Sequence, residues 1–161
     1  MAATLQELTF GGELLQRGFW LYVWEISPPV GKRLYYVGRT GDSSSTNAQS
    51  PFNRMGQHLG FAENSNMLRR HLRNHRITPE RCKFRLVALG PVLRESKATT
   101  RHQHDKRRDV VAGMEKALAE LMMGAGYQVM NTVSCRMPLD GKRFSDVKGA
   151  FARAFPLLPV D

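Results

Sequence analysis

Three pieces of sequence between residues 20 and 58 decide the fold: Trp20-Leu21-Tyr22-Val23, Leu34-Tyr35-Tyr36-Val37-Gly38-Arg39-Thr40 and Arg54-Met55-Gly56-Gln57-His58. Aromatic and β-branched residues dominate the first two pieces and predict strands over 19–26 and 33–39. The segment between them contains Pro28 and Pro29, which a central strand does not tolerate. The stretch therefore predicts an antiparallel hairpin in which each strand carries a tyrosine.

The hairpin is followed by a stretch of small, polar residues over 41–50, which predicts a loop. A short helix is predicted directly after this loop. Ser50 suits the N-cap and Pro51 the first helical turn, so the helix should run from Pro51 to about Leu59. Arg54 and His58 are four residues apart and therefore share one face of it.

A second helix should begin near Asn64 or Ser65, with Met67, Leu68 and Leu72 on its apolar side. Its other side is strongly basic, carrying Arg69, Arg70, Arg73 and Arg76. Any one of these arginines is compatible with a solvated surface. Four of them with almost no acid between them favour a face that follows a phosphate backbone.

The rest of the chain predicts one more strand and two more helices. The strand covers 83–89 and stops at Gly90-Pro91, one helix covers 109–123, and an extended or strand segment covers 127–133 and brings Asn131 beside the sheet. The last helix runs over 145–155 with Ser145 as its N-cap. The lead-in 4–16 should pack on the domain through its leucines, and His102 and His104 should be solvated or face phosphate. The fold class is thus α/β in the α+β sense, a small central three-stranded antiparallel sheet flanked by helices.

The two acids of the 109–123 helix are not equivalent. Glu115 shares the inward face with Val111 and Leu118, whereas Glu120 lies on or near the polar side. An inward carboxylate is costly unless it is paired or binds a metal. Glu115 is therefore the functional candidate, with a buried ion pair to an arginine as the structural alternative.

Composition limits the function classes. The chain has 161 residues, 42% of them hydrophobic, which suits one globular domain over 1–161. It contains no apolar run of the roughly 18 residues that a membrane span needs and no secretory signal pattern, so we expect no membrane partner and a cytoplasmic location. The formal net charge of +10 favours a nucleic-acid partner, with an acidic protein, a lipid or simple solubility as alternatives.

Taken in chain order, the candidate residues of the hairpin and the helices resemble those of the GIY-YIG nuclease superfamily. Its members include homing endonucleases, restriction enzymes and the incision domain of excision-repair nucleases. Trp20-Leu21-Tyr22 matches the first motif, with Trp20 in place of the usual glycine, and Tyr36-Val37-Gly38 matches the second. Four further positions match single family residues: Arg54, His58, Glu115 and Asn131. The resemblance covers roughly residues 19–133, the catalytic core, and leaves 134–161 as a C-terminal helical extension.

The resemblance implies a metal-dependent DNA endonuclease that hydrolyses phosphodiester bonds. One divalent ion, Mg²⁺ or Mn²⁺, would be held by Glu115, because such an ion needs hard oxygen ligands and keeps most of its waters. Arg54 would stabilise the phosphate, His58 would position the water or relay its proton, and Tyr22 or Tyr36 would act as the base. Tyr35 is assigned to packing. The expected contacts with nucleic acid are Arg39, Arg69, Arg70, Arg73, Arg76, Arg107 and Arg108.

Several alternatives stay open at this level. A catalytically inactive, basic DNA- or RNA-binding protein would use the same surface, and so would a basic structural or partner-binding protein. DNA is the expected substrate, RNA is a second possibility, and both a monomer and a homodimer are compatible with the sequence. Restriction, repair, mobile-element and defence roles are equally compatible.

Overall fold

The structure is a computed structural model that describes residues 3–41, 45–62, 66–95 and 100–159. Its strands are β1 (Phe19–Ser27), β2 (Leu34–Arg39) and β3 (Lys83–Leu93), and its α-helices are α1 (Pro51–Leu59), α2 (Met67–Asn74), α3 (Arg101–Gly124) and α4 (Gly141–Ala152). Two short 3₁₀ turns, Gly12–Leu15 and Pro79–Arg81, complete the regular elements in these ranges. None of the helices in the described ranges is long and apolar enough to cross a lipid bilayer.

The three strands form one antiparallel sheet in the order β2-β1-β3, which confirms the α+β class and the hairpin. The central strand is apolar along nearly its whole length because both of its faces are covered. Leu21 and Val23 pack in the core with α3 and α4 on one face. Tyr22, Trp24 and Ile26 pack with Leu68 and Leu72 of α2 on the other. Alternating side chains of one strand therefore belong to two separate cores.

Helix α1 has the predicted bounds. The Ser50 hydroxyl accepts a hydrogen bond from the Asn53 N–H, and Pro51 occupies the first turn. The predicted start of the second helix at Asn64 or Ser65 lies outside the described residues. From Met67 onward α2 buries Leu68 and Leu72 as expected, although Met67 itself is exposed.

Strand β3 is longer than predicted and continues through Gly90-Pro91 to Leu93. Proline is tolerated there because β3 is an edge strand, whose outer side has no ladder bond to lose. A Cβ atom on Gly90 would lie 2.6 Å from Cδ2 of Trp20, so glycine lets the strand pass close to the indole ring.

The bounds of the two long helices were also predicted wrongly. Helix α3 begins at Arg101, eight residues before the expected start, because Thr100 and Gln103 form a reciprocal capping box. His104 is consequently buried against the ring of Phe19 and is not solvated. Helix α4 is capped by the Asp140 carboxylate rather than by Ser145, and it ends at Ala152.

The lead-in does not pack as expected. Leu5 is 99% exposed and Leu8 68% exposed. Phe10 and Leu15 are also exposed, at 39% and 54%, although the ring of Phe10 lies 5.0 Å from that of Phe52. Its leucines are spaced without a helical or strand period that would gather them on one buried face.

The segment after α3 runs along the outer edge of β2. It makes one parallel bridge between Tyr35 and Val129, so it is extended rather than a full strand. Further along, the Val37 N–H donates to the Asn131 side-chain oxygen at 3.0 Å, and the Asn131 amide nitrogen donates to the Val37 carbonyl at 2.7 Å. One buried side chain thus satisfies both polar backbone groups of an edge residue, as a neighbouring strand would.

Asn131→Ala should lower the free energy of unfolding by about 2–3 kcal/mol, because it leaves two buried backbone groups without partners. Thr132→Ala, at the exposed neighbouring position, should change it by less than about 0.5 kcal/mol. Urea denaturation of both variants measures the difference. Equal stabilities for the two variants would contradict this role of Asn131.

Candidate active site

A tyrosine and a histidine meet at the end of the sheet where β1 begins and β2 ends. The Tyr22 hydroxyl lies 2.6 Å from Nε2 of His58, and the two rings meet edge to face. Tyr22 points from β1 toward α1, and His58 is in the last turn of that helix. The cap at Ser50 fixes where α1 begins and so which helical positions face the sheet.

Gly38 makes room for this pair. It lies opposite Tyr22 in the β1–β2 register, and a Cβ atom on Gly38 would lie 2.5 Å from Cε2 of Tyr22 and 2.8 Å from its hydroxyl. Those distances are too short for any side chain, so the tyrosine ring can lie flat across β2 only over glycine. The Tyr-Val-Gly pattern thus has a packing reason that is independent of any reaction.

Tyr36 lies on the same face of the sheet as Tyr22. Its ring centroid is 5.1 Å from that of His58 and 5.7 Å from that of His71 on α2. Tyr35 faces the opposite core, where its ring packs against Tyr127 and Phe155, as its assignment to packing predicted.

An ion pair lies on the α3 side of the same sheet end. Arg39 Nε donates to a Glu115 carboxylate oxygen at 2.8 Å. The Arg39 side chain is 15% exposed and the Glu115 side chain 14%. The Tyr22 hydroxyl is 3.2 Å from the backbone carbonyl oxygen of Arg39. A continuous chain of contacts therefore runs from Glu115 on α3, through Arg39 and Tyr22, to His58 on α1. Glu120 is 61% exposed and faces solvent with Lys116, as predicted.

His58 is neutral at physiological pH. Burial, and secondarily the positive charge of Arg54 one turn earlier, lower the pKa of His58 from 6.5 to about 3. An ordinary tyrosine has a pKa of about 10 and does not yield its proton to so weak a base. In the free protein His58 therefore acts as a hydrogen-bond partner that orients Tyr22. A phosphate bound nearby would favour the charged imidazole and raise its pKa.

Two other predicted site residues, Arg54 and Asn131, hydrogen-bond to groups outside this cluster. Arg54 is half-buried, and its Nη1 donates to the Gln57 side chain at 2.8 Å. Asn131 uses its amide on the β2 backbone, so the contact in this structure is a structural one. The structure brings Tyr22, Tyr36 and His58 into contact on one face of the sheet and Arg39 and Glu115 on the other, and the Tyr22 hydroxyl links the two groups through the Arg39 carbonyl.

The arginines assigned to nucleic acid divide into two groups. Arg70, Arg73 and Arg76 are exposed. Arg69 is not: it is 8% exposed, its Nη1 donates to Glu80 and its Nε to the Leu59 carbonyl, so the prediction that it shares the exposed basic face is wrong. Arg69 is buried because its side chain lies against the C-terminal end of α1 and Glu80, a long-range contact that the helical pattern of α2 does not indicate. Arg107 and Arg108 are half-buried on α3, and Arg108 is paired with Asp105 and Asp109.

The fit of a divalent ion depends on Glu115 alone. Among the described residues, no three His, Cys, Asp or Glu side chains cluster as a metal site. A single carboxylate is a suitable oxygen ligand for Mg²⁺, which keeps most of its waters. Arg39 already holds one oxygen of this carboxylate, so an ion and the guanidinium would compete for it. Glu115 is the residue that would hold the ion.

Two contributors were missed in the sequence. His71 reaches Tyr36, and its position next to Leu72 on the inward side of α2 was a usable signal. The structural alternative for Glu115, an ion pair with an arginine, is confirmed, but its partner Arg39 is 76 residues away in the chain and no local pattern identifies it.

Comparison of this chain with protein-family models, with curated proteins and with solved structures finds no match in any of the three.

The lowered pKa of His58 predicts a pH-dependent stability. Its folded-state pKa is below the unfolded value, so the contribution of His58 is fully present above pH 6.5 and is lost as the pH falls toward 3. Between pH 7 and pH 5 this loss should be about 2 kcal/mol. Urea unfolding of the parent protein and of His58→Gln at both values isolates the contribution. The prediction fails if the two proteins lose the same stability on acidification.

Proposed function

We propose that this protein is a metal-dependent DNA endonuclease of the GIY-YIG type that hydrolyses phosphodiester bonds. The observation that carries the proposal is the 2.6 Å contact between Tyr22 and His58 beside the Arg39–Glu115 pair, at one end of the sheet. The four side chains come from β1, β2, α1 and α3, and the hydroxyl–carbonyl contact between Tyr22 and Arg39 links them.

The proposed division of labour follows from exposure and charge. Tyr22 and His58 are 1% and 2% exposed, so they act from beneath the surface, whereas Arg39, Arg54 and Glu115 are partly exposed. Guanidinium groups match phosphate oxygens in a bidentate manner, which suits Arg54 and Arg39 to the scissile phosphate. A bound Mg²⁺ would supply Lewis-acid stabilisation of the phosphate charge.

Proton transfer is assigned to the tyrosines and His58. The attacking water must lose a proton as its oxygen bonds to phosphorus, and the bond to the leaving oxygen breaks. Tyr22 accepts that proton while its own hydroxyl proton passes to Nε2 of His58, 2.6 Å away. Tyr36 is the alternative base and would act as a phenolate. Because His58 is neutral at neutral pH, it can accept a proton once phosphate charge is present.

A catalytically inactive nucleic-acid-binding protein is the second candidate, and one observation favours it. The Glu115 carboxylate is already paired with Arg39 at 2.8 Å. If this pair persists with nucleic acid bound, the acid is a structural partner. Salt-sensitive binding without cleavage in Mg²⁺ or Mn²⁺ would support this candidate.

Cleavage of supercoiled plasmid in Mg²⁺ tests the proposal, with two variants on one helix. Glu115→Gln should reduce the rate by about 100-fold or more, because it removes the metal-binding charge. Glu120→Gln, which neutralises an exposed acid five residues later, should cut at the parent rate. Chelation by EDTA should abolish cleavage.

Thermal unfolding of both variants shows whether a lost rate reflects a lost fold. Parent-like cutting by a folded Glu115→Gln protein would overturn the site. Absence of cleavage by the parent protein with either metal would overturn the proposed activity.

A further inference from the structure

A second basic feature lies at the other end of the sheet. A cleft of about 240 Å³ lies between the β1–β2 turn and the end of α2, lined by residues 28–30 and 76–78 and by Arg81. Six residues of extended chain separate Tyr22 from Pro28, which places the turn roughly 20 Å from the tyrosine along β1. The cleft is therefore distinct from the candidate active site.

The cleft has the charge of an anion site. Two exposed arginines, Arg76 and Arg81, are among its lining residues, and neither forms an ion pair with any residue in the described ranges. The neighbouring acid, Glu80, is paired with Arg69 at 2.8 Å and does not neutralise them. Exposed Arg73 lies on α2 between this cleft and His71, which contacts Tyr36, and exposed Arg70 lies just before His71.

Arg76 ends α2 in a backbone conformation that favours glycine. Arg76 has a φ of 58°, the left-handed conformation that ends many helices. The Ile77 N–H donates to the Leu72 carbonyl at 2.9 Å and the Arg76 N–H to the Arg73 carbonyl at 2.8 Å, which closes the last turn. Glycine adopts this conformation without the steric cost that a side chain carries. The side chain of Arg76 therefore carries a local conformational cost that glycine would avoid.

We propose that this cleft binds a second phosphate of the nucleic-acid backbone, away from the scissile one. The proposal rests on the nucleic-acid part of the proposed function and not on catalysis. At about 3.4 Å of helix axis per base pair, a separation of roughly 20 Å corresponds to about six base pairs. Nucleic acid would thus lie along α2, with its flank held by Arg76 and Arg81.

The test is Arg76→Gly. This change removes the positive charge and also the steric cost of a side chain in the left-handed conformation. Affinity for a 20-base-pair DNA duplex should fall, and the slope of log K against log salt should decrease by about 0.9, the value for one phosphate contact. Arg76→Gly with Arg81→Gln should lower the slope by about 1.8. The melting temperature of Arg76→Gly should stay constant or rise by about 1–3 °C.

The matched control is Arg136→Gln, an exposed arginine in the segment after α3, which should leave the slope unchanged. Parent-like salt slopes for both cleft variants would overturn the proposal. A lower melting temperature for Arg76→Gly with unchanged binding would also overturn it, and would assign Arg76 to the stability of α2. Reduced binding of polyglutamate without any change on DNA would assign the cleft to an acidic protein instead. Because binding is measured without metal, these outcomes do not depend on whether the protein cuts.

Discussion

The packing of the Tyr22 ring over Gly38 is the constraint on which the rest of the structure depends. The ring occupies the space of a missing Cβ, and this places its hydroxyl within reach of His58 and of the Arg39 carbonyl. A side chain at Gly38 would displace the ring and break both contacts. The position of α1, capped by Ser50, then determines that the partner on the helical side is His58.

The Arg39–Glu115 pair connects this buried hydroxyl to the opposite face of the sheet. A buried acid paired with an arginine is often only structural, because the arginine offsets part of the cost of desolvating the carboxylate. Here both side chains keep part of their surface exposed, and they lie where β2 ends. An incoming phosphate would attract Arg39 and release the carboxylate, so substrate and metal could assist one another at this position.

Much of the fold could be predicted from local patterns. The hairpin, the bounds of α1 and the inward stripe of α3 follow from strand propensity, the Ser50-Pro51 start and helical periodicity. The passage of β3 through Pro91 and the burial of Arg69 and His104 could not be predicted, because they depend on which edge is free and which face is covered. Tyr22, Tyr36 and His58 were grouped through the family resemblance, whereas the choice of Arg39 as the partner of Glu115 is a long-range pairing that only the folded chain shows.

The central claim is that the Tyr22 hydroxyl takes part in phosphodiester hydrolysis. Its most direct test is the single-turnover cleavage rate of Tyr22→Phe in Mg²⁺, beside Tyr35→Phe on the opposite face of the sheet. Both changes keep the ring and remove only an oxygen. If the Tyr22 hydroxyl transfers a proton, the rate should fall by about 10²-fold or more in Tyr22→Phe and stay parent-like in Tyr35→Phe. Equal, parent-like rates for the two variants would contradict it.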